Sequence, residues 1–455
     1  MGDRQIRLLQ ERFHMKTLRP ETIREWTPHP QVAAKTAQQR NGRFLAAANG
    51  TRSCAGGWQF EYTGIRPGAR VSISVDVEHA GVVPRDALLC TAHWSILAPN
   101  VCRNACQHWD YLVPQLVSEE RVCFSRVVTT PADASGLTVR CTFRWASSGS
   151  SLWSTPRVRV LDGAPPEPRR VRIAVVSGNV RTRPPSPATL QGNTEYFRGL
   201  CERVCTEVRP QLIALPEIAL QCGLKGHAVE WAVSVPGPET DVFAQIARRH
   251  RVRIVLPVHE RDGDAVFNCA ALISPKGRVD GRYHKVHLAV GGEAESGIQP
   301  GEGFPVFRTE IGRIGCNICM DSSATESSRM VGLNGADFLV LPIMGDHRAD
   351  RWSAGNPFYN ESRWLAIMRT RAMDNQLCMV VARNSGHGSC VINRKGDVLA
   401  WNEGDRDVVW AEVNLDEEFR VWNGGCFTDA NWLQRRPHLY GAFTAPGNVG
   451  SLTSE

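Results

Sequence analysis

The chain has 455 residues, of which 42% are hydrophobic and 22% charged, with a formal net charge of +7 and 15 cysteines. Single hydrophobic cores seldom grow past roughly 250–300 residues, so the length predicts two domains, and the lack of any apolar run of about 18 residues excludes a helical membrane span. The positive charge is scattered arginine, not a dense basic block interleaved with aromatics, which argues against a nucleic-acid partner; an odd cysteine count in so large a chain points to reduced thiols rather than a disulfide framework.

Residues 1–34 are polar and mixed in charge, without the apolar core of a secretory signal, so the sequence reads as that of a cytoplasmic protein. From 35 to 162, short alternating runs at 58–62, 71–77, 137–145 and 157–161 are punctuated by turn signals such as GIRPG at 64–68. Such a rhythm predicts an antiparallel β-sandwich of about eight strands. Gly163, Pro165, Pro166 and Pro168 then interrupt strand-like sequence on both sides, marking a linker over 163–169.

Downstream the texture changes. Apolar β-branched runs alternate with helical stretches: VRIAVV, NTEYFRGLCERVCTEV, QLIALPE, DVFAQIARRH and VRIVLPV. That alternation predicts a layered α/β domain. A hairpin follows in NCAALISPKGRV, turning at Pro275, Lys276 and Gly277, after which RIGCNIC, a helix around 327–333, FLVLPI, a helix through 363–374 and CMVVARN repeat the pattern. Residues 446–455 read as a tail.

Three polar residues lie at the C-terminal ends of apolar runs, where α/β folds place reactive groups: Glu217 in LIALPEIAL, Lys285 in YHKVHL and Cys319 in IGCNICMD. The three make chemical sense together. A carboxylate can take a thiol proton, the thiolate can attack a carbonyl carbon, and an ammonium can hold the oxyanion that develops. Singly, each also has a plain structural reading: Glu217 as a helix cap, Lys285 as an exposed hairpin residue, Cys319 as a small buried hydrophobe. Cys316 and Cys319 form a CxxC pair, but residues three apart on a strand point to opposite faces, which argues against a shared metal. Cys102, Cys106 and His108 lack an evident fourth ligand for zinc.

The local contexts LPE, YxKxHL and IGxxICxD occur together and in the order of the nitrilase-like carbon-nitrogen hydrolase family, which residues from about 170 to 443 resemble. GEGFPVF at 301–307, GADFLVLP at 335–342, RAMDNQLCMVVARN at 371–384, GSCVINRKGDVL at 388–399 and RRPHLY at 435–440 extend the likeness. The resemblance implies a four-layer α-β-β-α sandwich over 170–445, without metal or organic cofactor. In it Glu217 would be the general base, Lys285 the support of the tetrahedral intermediate, Cys319 the thioester-forming nucleophile, and the backbone N–H of Met320 an oxyanion donor. It also implies a second glutamate that positions the lysine; in GGEAESGIQPG the expectation is Glu295, with Glu293 the competitor. Homodimers or larger homo-oligomers are implied as well.

Departures bear on substrate. CMDSSATE stands where the family often has a segment like CYDxRFPE, so Asp321 and Glu326 keep their places while Ser322, Ser323 and Thr325 either polarise the pocket or start a helix. Cys319-Met320-Asp321, rather than Cys-Trp-Glu, resembles the amidase and carbamoylase branches. His347, Arg348 and Arg351 in GDHRADRW fall where members commonly line the pocket, and an arginine there would suit a substrate carboxylate; a solvated loop is the other reading. The N-terminal region more distantly resembles galactose-binding-like jelly rolls, in which Trp94 or Trp109 would stack on a sugar-like ligand or fill the core. The expected function is hydrolysis of a C–N bond in a small amide or N-carbamoyl compound. Nitrile hydrolysis, amide-forming acyl transfer, and a catalytically silent glycan- or protein-binding role are the alternatives.

Overall fold

The computed structural model describes residues 16–96, 108–163, 166–178, 188–289, 292–344, 361–417 and 427–441. Contacts divide the chain into two compact units, Met1–Glu167 with Glu418–Glu455, and Pro168–Glu417.

In the first unit the alternating runs form two antiparallel sheets, one of eight strands and one of five. The Arg70–Ala80 strand illustrates the cause: Val71, Ile73, Val75 and Val77 are fully buried and the residues between them are not. That is the period-two pattern of a strand with one face on a core. Phe44, Phe60, Phe143 and Trp153 fill that core. The sandwich starts earlier than residue 35 and has more strands than the expected eight. Lys16–Leu18 pairs with Arg157–Leu161, and Thr22–Trp26 with Ala55–Tyr62. Both early strands are largely exposed, so no alternation announced them.

Of the segment expected to close the second domain, the described residues 427–441 group with this unit instead. Asp429, on the short Phe427–Leu433 helix, pairs with Arg126, and Gln434 Nε2 donates to Tyr111 Oη at 2.8 Å. Trp94 is a core residue, 3% exposed, its indole N–H donating to Asp110 at 3.0 Å. Trp109 lies outside that core, edge-on to Tyr111 and stacked near His93. Of the three residues weighed as zinc ligands, Cys102 and Cys106 fall outside the described residues, and His108 begins a strand. Twelve cysteines are described, and none is in a disulfide.

The second unit holds two six-stranded sheets. The first runs in the order Val279–His284, Ala265–Ile273, Arg253–Asp262, Leu212–Ala214, Arg170–Val176, Val408–Asn414, and its Arg170–Val176, Leu212–Ala214 and Arg253–Asp262 strands are parallel. The second runs Val306–Thr309, Gly312–Cys316, Phe338–Ile343, Cys378–Arg383, Cys390–Ile392, Val398–Trp401, with parallel pairing from Gly312–Cys316 through Cys378–Arg383. The parallel strands are nearly continuous apolar runs because both of their faces are covered. Val171, Ile173, Val255 and Ala270 of the first sheet share one buried cluster with Ile314, Phe338 and Val380 of the second. On its other face the first sheet meets helices Leu190–Glu207 and Pro238–His250 through Phe197, Val204 and Phe243. The second sheet meets Thr325–Leu333 and Glu361–Asn375 through Val331, Met368 and Ala372.

Arg253 joins the two sheets electrostatically. Its guanidinium, 1% exposed as a residue, donates twice to Asp280 (2.7 and 3.0 Å) and twice to Glu310 (3.1 and 2.8 Å). Breaking a buried ion pair costs about 3–5 kcal/mol when it strands a buried charge. Here Arg253→Met leaves only acids that reach solvent, so the variant is expected to be destabilised by less than that range. Chemical denaturation of the variant, read as a lowered midpoint with an unchanged slope, checks this.

Candidate active site

Each expected catalytic residue follows a strand that the buried apolar run before it holds in place. Glu217 comes after Leu212–Ala214, where Leu215 N still bonds Val255 O at 3.1 Å, and is 4% exposed. Lys285 follows Val279–His284; its backbone N bonds Asn268 O at 2.9 Å and it is 1% exposed. Cys319 opens the short 3-10 turn Cys319–Ser323 after Gly312–Cys316, with φ of +42°. A left-handed backbone is uncommon for a non-glycine residue and carries about 1–3 kcal/mol of strain, so its neighbours must hold it.

The side chains converge. Lys285 Nζ donates to Glu217 Oε1 at 2.8 Å and to Glu293 Oε2 at 2.6 Å. Asn268 Nδ2 donates to the same two glutamates, at 2.8 Å to Glu217 Oε1 and 2.5 Å to Glu293 Oε1. Glu217 Oε2 accepts from the backbone N–H of Met344 at 2.5 Å, and Glu293 Oε2 from that of Ala289 at 2.8 Å. The acid beside the lysine is therefore Glu293 and not Glu295. Ala289 N–H anchors the Glu293 carboxylate inward, while Glu295 is exposed on the turn Ala294–Ser296.

Burial opposes the charge on Lys285, but Glu217, Cys319 and Glu293 outweigh it and hold the ammonium above its usual range. Burial, and then the nearby Glu217 carboxylate, push the Cys319 thiol up, against the opposing pull of Lys285. The resting site thus has a protonated thiol beside a carboxylate able to receive its proton, with a cation that stays charged. His259, opposite Asn268 in the ladder, is neutral: burial, assisted by Lys285 against Glu293, lowers it to about 4.

Below this cluster lies Asp321, fully buried. Its Oδ2 accepts from Tyr283 Oη at 2.6 Å and Ile318 N at 2.8 Å; its Oδ1 accepts from His287 N at 2.9 Å and lies 2.8 Å from His287 Nδ1. Cys316 lies in the core between the sheets, its thiol pushed up to about 12 by burial. Met320 is the second residue of the Cys319–Ser323 turn. His347, Arg348 and Arg351 lie outside the described residues. Among those described, two groups bring metal-type donors within 4.8 Å: Glu260, Cys269 and His284, and Glu361, His387 and Glu403. In the first group Glu260 is already committed to Arg282 and to His284 Nε2, the latter at 2.8 Å. Sequence reasoning missed Asn268; its signal was a lone amide in the apolar run of NCAALIS.

Comparison with known proteins adds an independent line. Residues 172–418 match the carbon-nitrogen hydrolase family. The human omega-amidase NIT2 is 24% identical over 237 residues, covering 47% of this chain and 82% of its own. A probable nitrilase of Schizosaccharomyces pombe is 28% identical over 221 residues, covering 45% of this chain and 76% of its own. Among solved structures, Saccharomyces cerevisiae Nit3, a member of branch 10 of the nitrilase superfamily, aligns with a TM-score of 0.47 at 19% identity, over 59% of this chain and 97% of that one.

The His287–Asp321 pair sets a pH dependence. Hydrogen bonding to Asp321 raises the imidazole above its usual 6.5, against partial burial. A raised histidine stabilises the fold fully below its unfolded value and loses that contribution as pH rises through the folded value. The melting temperature of wild type should therefore exceed that of His287→Gln by more at pH 5.5 than at pH 8.5, which thermal scans across about that range would show.

Proposed function

The chain belongs to the carbon-nitrogen hydrolase family, and on that premise we propose that it hydrolyses a small linear amide or N-carbamoyl compound through a thioester on Cys319. The observation that carries this reading is the buried Lys285 ammonium fixed between Glu217 and Glu293 beside a protonated thiol.

In the proposed reaction Glu217 takes the Cys319 proton as sulfur bonds to the carbonyl carbon. The oxygen gains the electron pair and is held by Lys285 and by the Met320 backbone N–H. An ammonium has three donors, and two of those on Lys285 bond the glutamates, which leaves one for the oxyanion. As the tetrahedral intermediate collapses, the C–N bond breaks and Glu217 returns the proton to the departing nitrogen, releasing ammonia or an amine. Water then attacks the thioester as Glu217 takes its proton, the C–S bond breaks to release the acid product, and Glu217 returns that proton to sulfur, restoring the thiol. Asn268 and Glu293 keep the lysine and base aligned.

Several features favour amide over nitrile substrates. Cys319-Met320-Asp321 lacks the Trp-Glu expected of nitrile-hydrolysing branches, and the similar human protein is an omega-amidase. An arginine among Arg348 and Arg351, with His347, would read a carboxylate on the substrate. The packing supports a four-layer α-β-β-α reading of residues 168–417 and a jelly-roll-like accessory role for the N-terminal unit. Trp94 is committed to the core, so stacking of a sugar-like ligand on it is not part of the proposal. Association into a homodimer or larger homo-oligomer is part of the same proposal.

The test is ammonia release from a panel of small amides, N-carbamoyl amino acids and nitriles, with intact-mass detection of the acyl-enzyme. Cys319→Ala should lose at least about four orders of magnitude in turnover. Retained turnover in that variant would rule the mechanism out, and a new amide formed when an amine acceptor is added would redirect it to acyl transfer.

A further inference from the structure

Cys319 is held at φ +42°, and the structure places one residue where it can hold both that strain and the nearby lysine. Asp321 closes the nucleophile turn on itself: its carboxylate accepts from Ile318 N at 2.8 Å while its own N donates to Ile318 O at 3.0 Å, bracketing Cys319 from both sides. The same carboxylate reaches the other strand end. Tyr283 and His287 lie two residues before and two after Lys285, and both bond Asp321, Tyr283 at 2.6 Å and His287 through its backbone N at 2.9 Å and its Nδ1 at 2.8 Å. Among the described residues Asp321 is the side chain that hydrogen-bonds both the strand end before Lys285 and the Cys319 turn. Asp321 is fully buried, and its carboxylate meets four hydrogen-bonding atoms, Tyr283 Oη, Ile318 N, His287 N and His287 Nδ1, none of them on a lysine or arginine. A buried carboxylate satisfied that way is fixed in direction, since each oxygen must keep its donors.

We propose that Asp321 is a positioning residue that clamps the strained Cys319 turn to the strand end carrying Lys285, setting the distance between thiol and ammonium. The clamp rests on the reading of Cys319 as nucleophile and deepens it by naming what keeps the attacking sulfur and the oxyanion support in register. Effective geometry of this kind is steep: misplacement by about 1 Å can cost about a hundredfold in rate.

The variant is Asp321→Asn, which keeps size and one acceptor but faces the Ile318 and Tyr283 donors with an amide that cannot accept on its nitrogen. Two measurements are made on the full-length protein: alkylation of Cys319 by iodoacetamide as a function of pH, followed by intact mass, and turnover of the best substrate from the amide panel. The expected result is a fall of at least about tenfold in alkylation rate near neutral pH, a displaced alkylation profile, and a fall of about a hundredfold in kcat with KM within about threefold. A purely stabilising role would lower the melting temperature of the variant and leave the alkylation profile of its folded fraction where it is in wild type, which would overturn the proposal. If Asp321→Asn does not fold, Tyr283→Phe carries the test, because it removes one clamp donor while keeping the ring in the core; wild-type alkylation and kcat there would overturn it equally. Alkylation needs no substrate, so it reads the clamp even if the amide panel gives no turnover and the proposed reaction fails.

Discussion

A full positive charge placed in the interior of the second unit is the constraint on which the site depends. Lys285 is 1% exposed, and an ammonium taken from water without partners would lose several kcal/mol or give up its proton. Glu217 and Glu293 prevent both. Those carboxylates need holding in turn, and Asn268, Met344 N–H and Ala289 N–H supply the donors. Lys285, Glu217 and Met344 sit just beyond strand ends, Asn268 lies within Ala265–Ile273, and Ala289 and Glu293 lie on the loop after Lys285. Because Glu217 follows the first sheet and Met344 the second, the two sheets must be in register before the charge network can exist. The order of dependence runs from apolar strand to strand end, from strand end to polar head group, and from there to reactivity.

The chemistry of the thiols separates Cys319 from the others. Burial raises Cys201, Cys205, Cys269, Cys316, Cys378 and Cys390, as it raises Cys319. An elevated thiol is therefore no mark of function in this protein. Cys319 is half-buried, as Cys123 and Cys222 also are, but among the described cysteines it alone has a left-handed backbone, and it is subject to both a carboxylate and an ammonium that belong to one connected cluster. Cys269 also lies against an acid, Glu260, but is fully enclosed between strands.

Much of this was legible in the sequence, for definite physical reasons. Glu217, Lys285 and Cys319 stood out as polar residues ending apolar runs whose contexts together resemble the family, and the structure puts Lys285 Nζ 2.8 Å from Glu217 Oε1. The choice between Glu293 and Glu295 was not legible, since the two are separated by one residue and only the path of the loop decides which turns inward. Asn268 was hidden because a strand-interior amide looks like a packing detail until its partners are known. The sandwich was recognisable from alternation where strands bury one face, as in Arg70–Ala80, but its two early strands escaped notice because edge strands exposed along their length carry no alternation. The RRPHLY segment was assigned by likeness to the second domain, whereas contacts place it with the first.

That last grouping makes the sandwich a discontinuous domain and the hydrolase unit an insert within it. The insert enters and leaves by one edge: Arg170–Val176 lies antiparallel to Val408–Asn414, and Asp416 accepts from the Arg169 backbone N–H at Oδ2 and from its guanidinium at Oδ1. A chain emerging from the ribosome therefore completes the whole catalytic unit while its host still lacks the last helix. The inserted unit has its own core and neighbouring ends, the geometry that lets a domain be moved between hosts without disturbing either fold.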